Sequence, residues 1–230
     1  MTTQFTYHNE LFTIIYDPDD RSGLGAIQEI VTNNDYKLDL FCNQKNKTFF
    51  DIGTNIGIAT VIMAKLNPES VVYAFEPFTK AYELLLQNIK INNLTNVVPH
   101  NLAVSNKTNK TLNLSILNWM SGANSTYSAP EKFDGYYHIP QNIQTIECIS
   151  FDEIMTKYNI NKVHLLKIDC EGAEFDIIYD SELFKSGVVE NIVGEFHDLS
   201  YNKALNQSSE LITYCKKYIN GLVNVSILTV

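Results

Sequence analysis

The residues of this chain that can do chemistry gather at four places, each where an apolar run ends. Asp51, Gly53, Asn55 and Gly57 stand two apart in a D-x-G-x-N-x-G turn that follows Thr48, Phe49 and Phe50 and precedes the apolar stretch 58–66. Glu76 and Pro77 end the run 71–75, about twenty residues beyond the turn, the distance at which open α/β folds place an acid on a ribose. Asp169, Glu171 and Glu174 follow the run 163–168, and Glu195 and His197 close the run that begins at 191. Carboxylates and an imidazole so placed can bind a cation, accept hydrogen bonds from a diol, or take up a proton.

The first run reads as strand, glycine turn and helix N-terminus, the junction at which open α/β proteins hold a nucleoside cofactor. A dinucleotide site asks for G-x-G-x-x-G and aims the helix dipole at a pyrophosphate. Here the pattern is G-x-N-x-G with an acid, Asp51, in front. An acid beside the loop repels a pyrophosphate but suits the ammonium and sulfonium of S-adenosylmethionine. Asp51, Gly53, Asn55, Gly57, Glu76 and Pro77 are therefore the candidate cofactor residues. Gly53 is read as glycine so that the cofactor can lie against its backbone. Asn101 and Ala103, near the end of the third strand, are the candidates around the adenine, and Asp169 and Glu171 face the same cleft.

These residues need a parallel sheet to bring their strand exits together. The pattern predicts strands at 48–52, 71–75, 97–104, 163–168, 191–195 and 223–230, with helices at 58–66, 80–91, 151–158, 173–184 and 203–219. That alternation argues for a mostly parallel central sheet with helices on both faces. Residues 1–47 form an N-terminal cover, with a strand at 5–16, a helix at 24–33 and a short strand at 36–41. Residues 48–230 form the core, and the whole reads as one domain. The rhythm breaks at 106: a strand at 112–117 precedes a long loop, 118–141, rich in aromatics, before a strand at 143–149. A structureless segment of that length is expected to be a lid or binding loop.

The net charge of -9, with no basic run, argues against a nucleic-acid partner. The four cysteines lie far apart with no C-x-x-C pair, so neither a zinc knuckle nor a disulfide framework is expected. The N-terminus lacks the pattern of a secretory leader and no stretch reaches membrane-spanning length, so the expectation is a cytoplasmic protein without a membrane partner. Oligomeric state is not legible.

Taken in order, D-I-G-T-N-I-G at 51–57, A-F-E-P at 74–77, the run 145–154, L-K-I-D-C-E-G-A-E at 166–174 and V-G-E-F-H at 193–197 resemble the FkbM family of S-adenosylmethionine-dependent methyltransferases. The resemblance covers residues 48 to 200. It implies a Rossmann-like class I methyltransferase fold, S-adenosylmethionine as cofactor and methyl transfer to a hydroxyl oxygen, often of a sugar or a polyketide-like product. Two departures stand out: Thr54 where alanine is more usual, and a single strand after helix 203–219 where a class I sheet closes with a hairpin. The sheet edge is then incomplete or completed by the N-terminal strands.

For the chemistry, His197 is the candidate base, because a group titrating near neutrality suits removal of a hydroxyl proton. Glu195, on the same strand face, orients it, and Asp169 completes the catalytic set. Lys167 shares a face with Asp169 and is expected to pair with an acid inside the sheet. Asp169, Glu195 and His197 can also converge on Mg²⁺, but that ion prefers carboxylates and water, and no metal is assigned. Competing readings are a catalytically silent cofactor-binding or scaffolding module and, less well matched, a nicotinamide oxidoreductase.

Overall fold

The computed structural model describes residues 1–106, 110–117, 119–126, 131–133, 136–138, 142–198 and 207–229. The chain opens with an antiparallel hairpin, β1 (Thr2–Tyr7) and β2 (Glu10–Ile15). His8 and Asn9 turn it with φ of 49° and 63°, the left-handed pair that a two-residue hairpin requires. The pattern predicts one strand over 5–16 because neither turn residue is the glycine that marks such a reversal. Helix α1 (Ser22–Ile27) continues into a π-helical turn, Gln28–Asn33. Residues 36–41 are not a strand: Lys37 is left-handed (φ 51°) and a 3₁₀ turn follows at Leu38–Phe41. Leu38 and Phe41 are both buried, and burial three residues apart is helical spacing.

The core then alternates β3 (Thr48–Ile52), α2 (Ile58–Leu66), β4 (Val71–Phe75), α3 (Thr79–Ile91) and β5 (Val97–His100). The expected strand 97–104 breaks at Asn101 and Leu102, and its end becomes β6 (Ala103–Ser105) of a second sheet. Asn101 drives the break, since its Nδ2 donates to the carbonyls of Glu76 (2.8 Å) and Pro77 (3.0 Å). That second sheet has the order β6, β10, β7, with β7 spanning Lys110–Ile116 and β10 Asn142–Ser150. Between them the expected loop carries a 3₁₀ turn, Ser121–Ala123, and a small hairpin, β8 (Glu131–Phe133) with β9 (Tyr136–His138).

After β10 come α4 (Phe151–Lys157), β11 (Leu165–Ile168), α5 (Glu174–Tyr179), α6 (Glu182–Lys185), β12 (Ile192–Asp198), α7 (Gln207–Tyr218) and β13 (Val223–Thr229). The single helix expected over 173–184 is split at Ser181, whose Oγ caps α6 by accepting from the Phe184 amide (2.9 Å). The main sheet has the order β13, β12, β11, β3, β4, β5, and every pairing in it is parallel. This is a Rossmann-like, doubly wound sheet, and it ends at β13 among the described residues. The N-terminal strands do not complete its edge, because among the described residues β1 and β2 pair with each other and with no other strand.

Alternation along the strands sorts the core into two layers. Phe50, Ile52, Phe75, Leu166, Ile168 and Phe196 pack on the face covered by α4 to α7. Phe49, Val72, Leu165 and Val193 pack on the other, with α2 and the N-terminal segment. Two buried asparagines, Asn88 of α3 and Asn92 at its C-cap, bind the hairpin there. Asn88 accepts from the Ile15 amide (2.6 Å) and donates to its carbonyl (3.1 Å), and Asn92 does the same for Thr13 (3.1 and 2.7 Å). One turn apart on the helix, they act toward β2 as a neighbouring strand would.

The two central strands are fastened by a charge pair. Asp51 of β3 and Lys167 of β11 are register partners on the same face, so their side chains meet within the sheet layer. Lys167 Nζ lies 3.3 Å from Asp51 Oδ1 and donates to the carbonyl of Gly53 at 2.7 Å. Asp51 is fully buried and also accepts from Thr60 Oγ1 of α2 at 2.6 Å. Burial alone would lower the Lys167 pKa, but Asp51 and Asp169 outweigh it and hold the ammonium charged. Removing one member of such a pair strands the other, at a cost of about 3–5 kcal/mol. Lys167→Met is therefore expected to lower unfolding stability by that order. Denaturant melts would check it, and a loss under about 1 kcal/mol would show the pair to be dispensable.

Candidate active site

A parallel sheet of this order changes winding direction between β3 and β11, and the crevice beyond the strand ends there is where such folds bind ligands. A cavity of about 620 Å³ opens at that point and is lined from the exits of β3, β4, β11 and β12. Its first part is the turn after β3. Asn55 is left-handed (φ 50°), and its amide donates to Glu76 Oε2 at 2.7 Å, while the Phe78 amide donates to Glu76 Oε1 at 2.9 Å. The carboxyl of Glu76 is thus gripped by two backbone groups at the cavity wall. Burial, partly offset by those hydrogen bonds, pushes its pKa up to about 7.

Gly53 lines the cavity, but its glycine identity has another cause than the one expected. With φ of 77°, a Cβ there would lie 1.7 Å from the carbonyl oxygen of Asp169, so the constraint is the close approach of the β3 and β11 exits. Gly57 (φ 87°) lies outside the lining; a Cβ would strike Leu85 of α3 at 2.2 Å. Asp51 is likewise absent from the wall, being committed to Lys167 and Thr60. Asn101 is also absent, tied to the β4 exit by its two carbonyl contacts. Asn55, Glu76, Pro77, Ala103, Asp169, Glu171, Glu195 and His197 do line it.

At the other side, β12 runs past its last pairing with β11, which stops at Gly194. Glu195 and His197 project from this extension on the face that carries Val193, while Phe196 turns into the core. The strand continues to Asp198, so His197 lies inside it and not after it. His197 is fully buried. Its Nδ1 pairs with Glu174 Oε1 at 3.0 Å, and its Nε2 points among Glu171 Oε2 (3.5 Å), Asp169 Oδ1 (3.9 Å) and Glu195 Oε2 (4.0 Å).

Burial lowers the His197 pKa, but Glu171, Glu174 and Asp169 outweigh it and raise it to about 10. An imidazole in that field keeps its proton at neutral pH, which counts against the base role expected of it. Glu195 moves up to about 7, through burial first and then the charge of Asp169.

Glu174 is the structural acid of this corner: its two oxygens accept from the amides of Cys170 (2.8 Å) and Gly172 (2.9 Å). The loop so held gives Glu171 a left-handed φ of 52°, a strained conformation for a side-chain-bearing residue. Tyr36 was not foreseen at all. It comes from the turn just before the 3₁₀ segment, and its hydroxyl donates to Asp169 Oδ2 at 2.9 Å, while Lys167 stands 3.6 Å from the same oxygen. No sequence motif marks it.

The described start of the 118–141 segment also belongs to the wall, through Trp119, Met120 and Ser121. It is fastened at several points: Ser121 Oγ accepts from Asn55 Nδ2 (3.1 Å), the Gly122 amide donates to Ser22 Oγ (2.8 Å), and Arg21 lies over the Trp119 ring (5.6 Å). Tyr127 falls outside the described residues.

All four cysteines are free thiols, and no helix of the described residues is long and apolar enough to cross a membrane. Among known proteins, Methyltransferase 1 of Beauveria bassiana is 28% identical over 160 residues, covering 64% of this chain and 64% of that protein. The chain thus spans just under two thirds of that relative's length. Methyltransferase sdnD of Sordaria araneosa is 24% identical over 195 residues, covering 73% and 72%. The crystal structure of M. jannaschii TYW2 in complex with AdoMet overlaps 47% of this chain and 52% of its own at 22% identity, with a TM-score of 0.30, too low to bear on the site. The methyltransferase FkbM domain matches residues 51–218, from the first cofactor-turn acid through the last helix, and the chain belongs to the FkbM methyltransferase family.

Proposed function

We propose that this chain binds S-adenosylmethionine across the exits of β3 and β4 and transfers its methyl group to a hydroxyl oxygen of a sugar, glycan or natural-product acceptor held at the exits of β11 and β12. The observation that carries the reading is one cavity with two chemically different ends. At one, Glu76 and the Asn55 turn offer a backbone-anchored carboxylate; at the other stand Asp169, Glu171, Glu195 and His197. Three strand spacings of about 4.8 Å separate the β4 and β12 exits, roughly 14 Å, room for a nucleoside with an acceptor beyond it.

The residues fit the cofactor. Each Glu76 oxygen accepts one backbone amide and keeps a lone pair for a ribose hydroxyl. Ala103 and Val104 supply short apolar side chains for a flat base, and Asp169 and Glu171 supply the negative charge that an ammonium and a sulfonium need. When bound, the cofactor supplies an electrophilic methyl on a positively charged sulfur. The chain's own task is to hold the acceptor oxygen in line and take its proton as the new bond forms. Asp169, Glu171 and Glu195, sharing charge with His197, are the groups in reach. Residues 119–126, the described start of segment 118–141, are the cover of the acceptor side in this reading, supported by the place of Trp119 in the wall and by the tethers to Asn55 and to Arg21 beside α1.

Two outcomes follow. Ribose hydroxyls donate to the ionised form of Glu76. Affinity for S-adenosylhomocysteine is therefore full above the free-state pKa of about 7 and falls about tenfold per unit below it. Glu76→Gln removes this dependence and weakens binding about ten- to a hundredfold, because an amide cannot serve both backbone donors and the diol. Calorimetry between about pH 6 and pH 8, with a thermal melt to confirm folding, measures both; a flat wild-type profile would remove Glu76 from the ribose site.

Turnover of labelled S-adenosylmethionine across a panel of hydroxyl acceptors tests the reaction. Glu195→Gln is expected to slow it about 10²-fold or more with S-adenosylhomocysteine affinity unchanged. Cofactor binding without transfer to any acceptor would instead favour the catalytically silent module.

A further inference from the structure

We propose that Asp169, Glu195 and His197 form a binding site for a divalent cation of the Mn²⁺ type at the acceptor end of the cavity. One ligand atom from each of the three residues lies within 4.8 Å of the others. The His197 Nε2 distances to Asp169 Oδ1 and Glu195 Oε2, 3.9 and 4.0 Å, fall within the roughly 3–4.2 Å that separates ligands placed about 2.1 Å from one ion. Acids alone would say little. What sets this group apart is Nε2 of His197, completely buried, without a hydrogen-bond partner among the described residues, and aimed between the carboxylates.

The surroundings have the form of a second coordination shell. Glu174 engages His197 Nδ1 at 3.0 Å, which holds a proton on Nδ1 in that contact and turns Nε2, the atom that must give up its proton to an incoming ion, toward the acids. Glu174 is fixed in turn by the amides of Cys170 and Gly172. Tyr36 holds Asp169 by Oδ2, leaving Oδ1 on the His197 side. Glu171 Oε2, 3.5 Å from Nε2, adds negative charge beside the three. Protonation and ligation are alternatives for Nε2, and the same carboxylates favour both.

The ligand types select the ion. Carboxylate oxygens suit Mg²⁺, Ca²⁺ and Mn²⁺, imidazole suits later transition metals, and Mn²⁺ tolerates both. Three protein ligands leave further positions open toward the cavity. If the methyl-transfer reading holds, on which this use of the ion rests, an acceptor hydroxyl can take one of them and lose its proton more readily. Cation binding itself stands apart from that reading.

The test is titration of the whole metal-free chain with MnCl₂, followed by calorimetry and by the electron spin resonance of bound Mn²⁺. One ion per chain is expected, with imidazole-nitrogen modulation in its electron spin echo. Glu195→Gln, at a partly exposed side chain, should weaken binding at least about tenfold while the thermal melt stays in place. Asp169→Asn should do the same. Saturating S-adenosylhomocysteine should leave Mn²⁺ bound. No stoichiometric binding to the folded chain, or a bound ion without an imidazole signal, overturns the site. Displacement of Mn²⁺ by S-adenosylhomocysteine overturns it too, by giving the pocket to the cofactor's ammonium. Failure of methyl transfer with Mn²⁺ still bound would count against the function alone.

Discussion

The ammonium of Lys167 sits where the two central strands end, and the geometry of the cleft hangs on it. It meets Asp51 across the β3–β11 register, donates to the carbonyl of Gly53, and stands beside Asp169. A charge this deep costs several kcal/mol to bury and persists only because its neighbours repay it through ion pairing and hydrogen bonding. One group thereby fixes the positions of the turn that begins the site and of the acid at its centre. The backbones of the two exits then approach so closely that Gly53 has no room for a Cβ. Asp51 belongs to this fastening, and its negative charge serves the lysine before any ligand.

Beyond the lysine the balance of charge reverses. Asp169, Glu171, Glu174 and Glu195 crowd around one imidazole, and among the described residues Lys167 is the further cation beside them. Partners steady it in the folded chain: Glu174 has its two amides, Asp169 the Tyr36 hydroxyl, and the imidazole of His197 the field of the acids around it. The surplus negative charge lines the cavity at this end of the cleft, a field that favours cations. In the proposed reading a sulfonium, an ammonium and a metal ion all answer that description, and each takes its own place along the cleft. The parallel order of the sheet supplies the spacing, because each strand step moves the exit by about 4.8 Å.

Attachment of the N-terminal segment shows how the cleft acquires walls that the sheet lacks. Asn88 and Asn92 bind β2 by backbone mimicry, and the chain that follows delivers Ser22, Glu29 and Tyr36 to the cavity. Ser22 in turn anchors Gly122, and Asn55 anchors Ser121, so the turn after β3 and the first part of the 118–141 segment share one network. The wall is therefore a joint product of segments about a hundred residues apart in sequence.

The sequence by itself determined what depends on local order: the strand, turn and helix of 48–66, the alternation behind the parallel sheet, and the strand-exit acids Glu76, Asp169, Glu171 and Glu195. Apolar runs ended by polar residues carry that information in a few neighbouring positions. It failed where a residue's role is set by a distant partner. Nothing near Asp51 tells that Lys167 is its register mate. Nothing near Gly53 tells that the Asp169 carbonyl excludes a side chain. Asn101 looks like a residue beside a base and is a clamp on a neighbouring exit, and Tyr36 sits in no motif. His197 was legible as a residue facing the cleft, but its protonation depends on acids brought in from β11 and the N-terminus of α5. Charge, close approach and hydrogen-bond partnership act through space over a few ångströms, and only the folded chain decides which residues share that space.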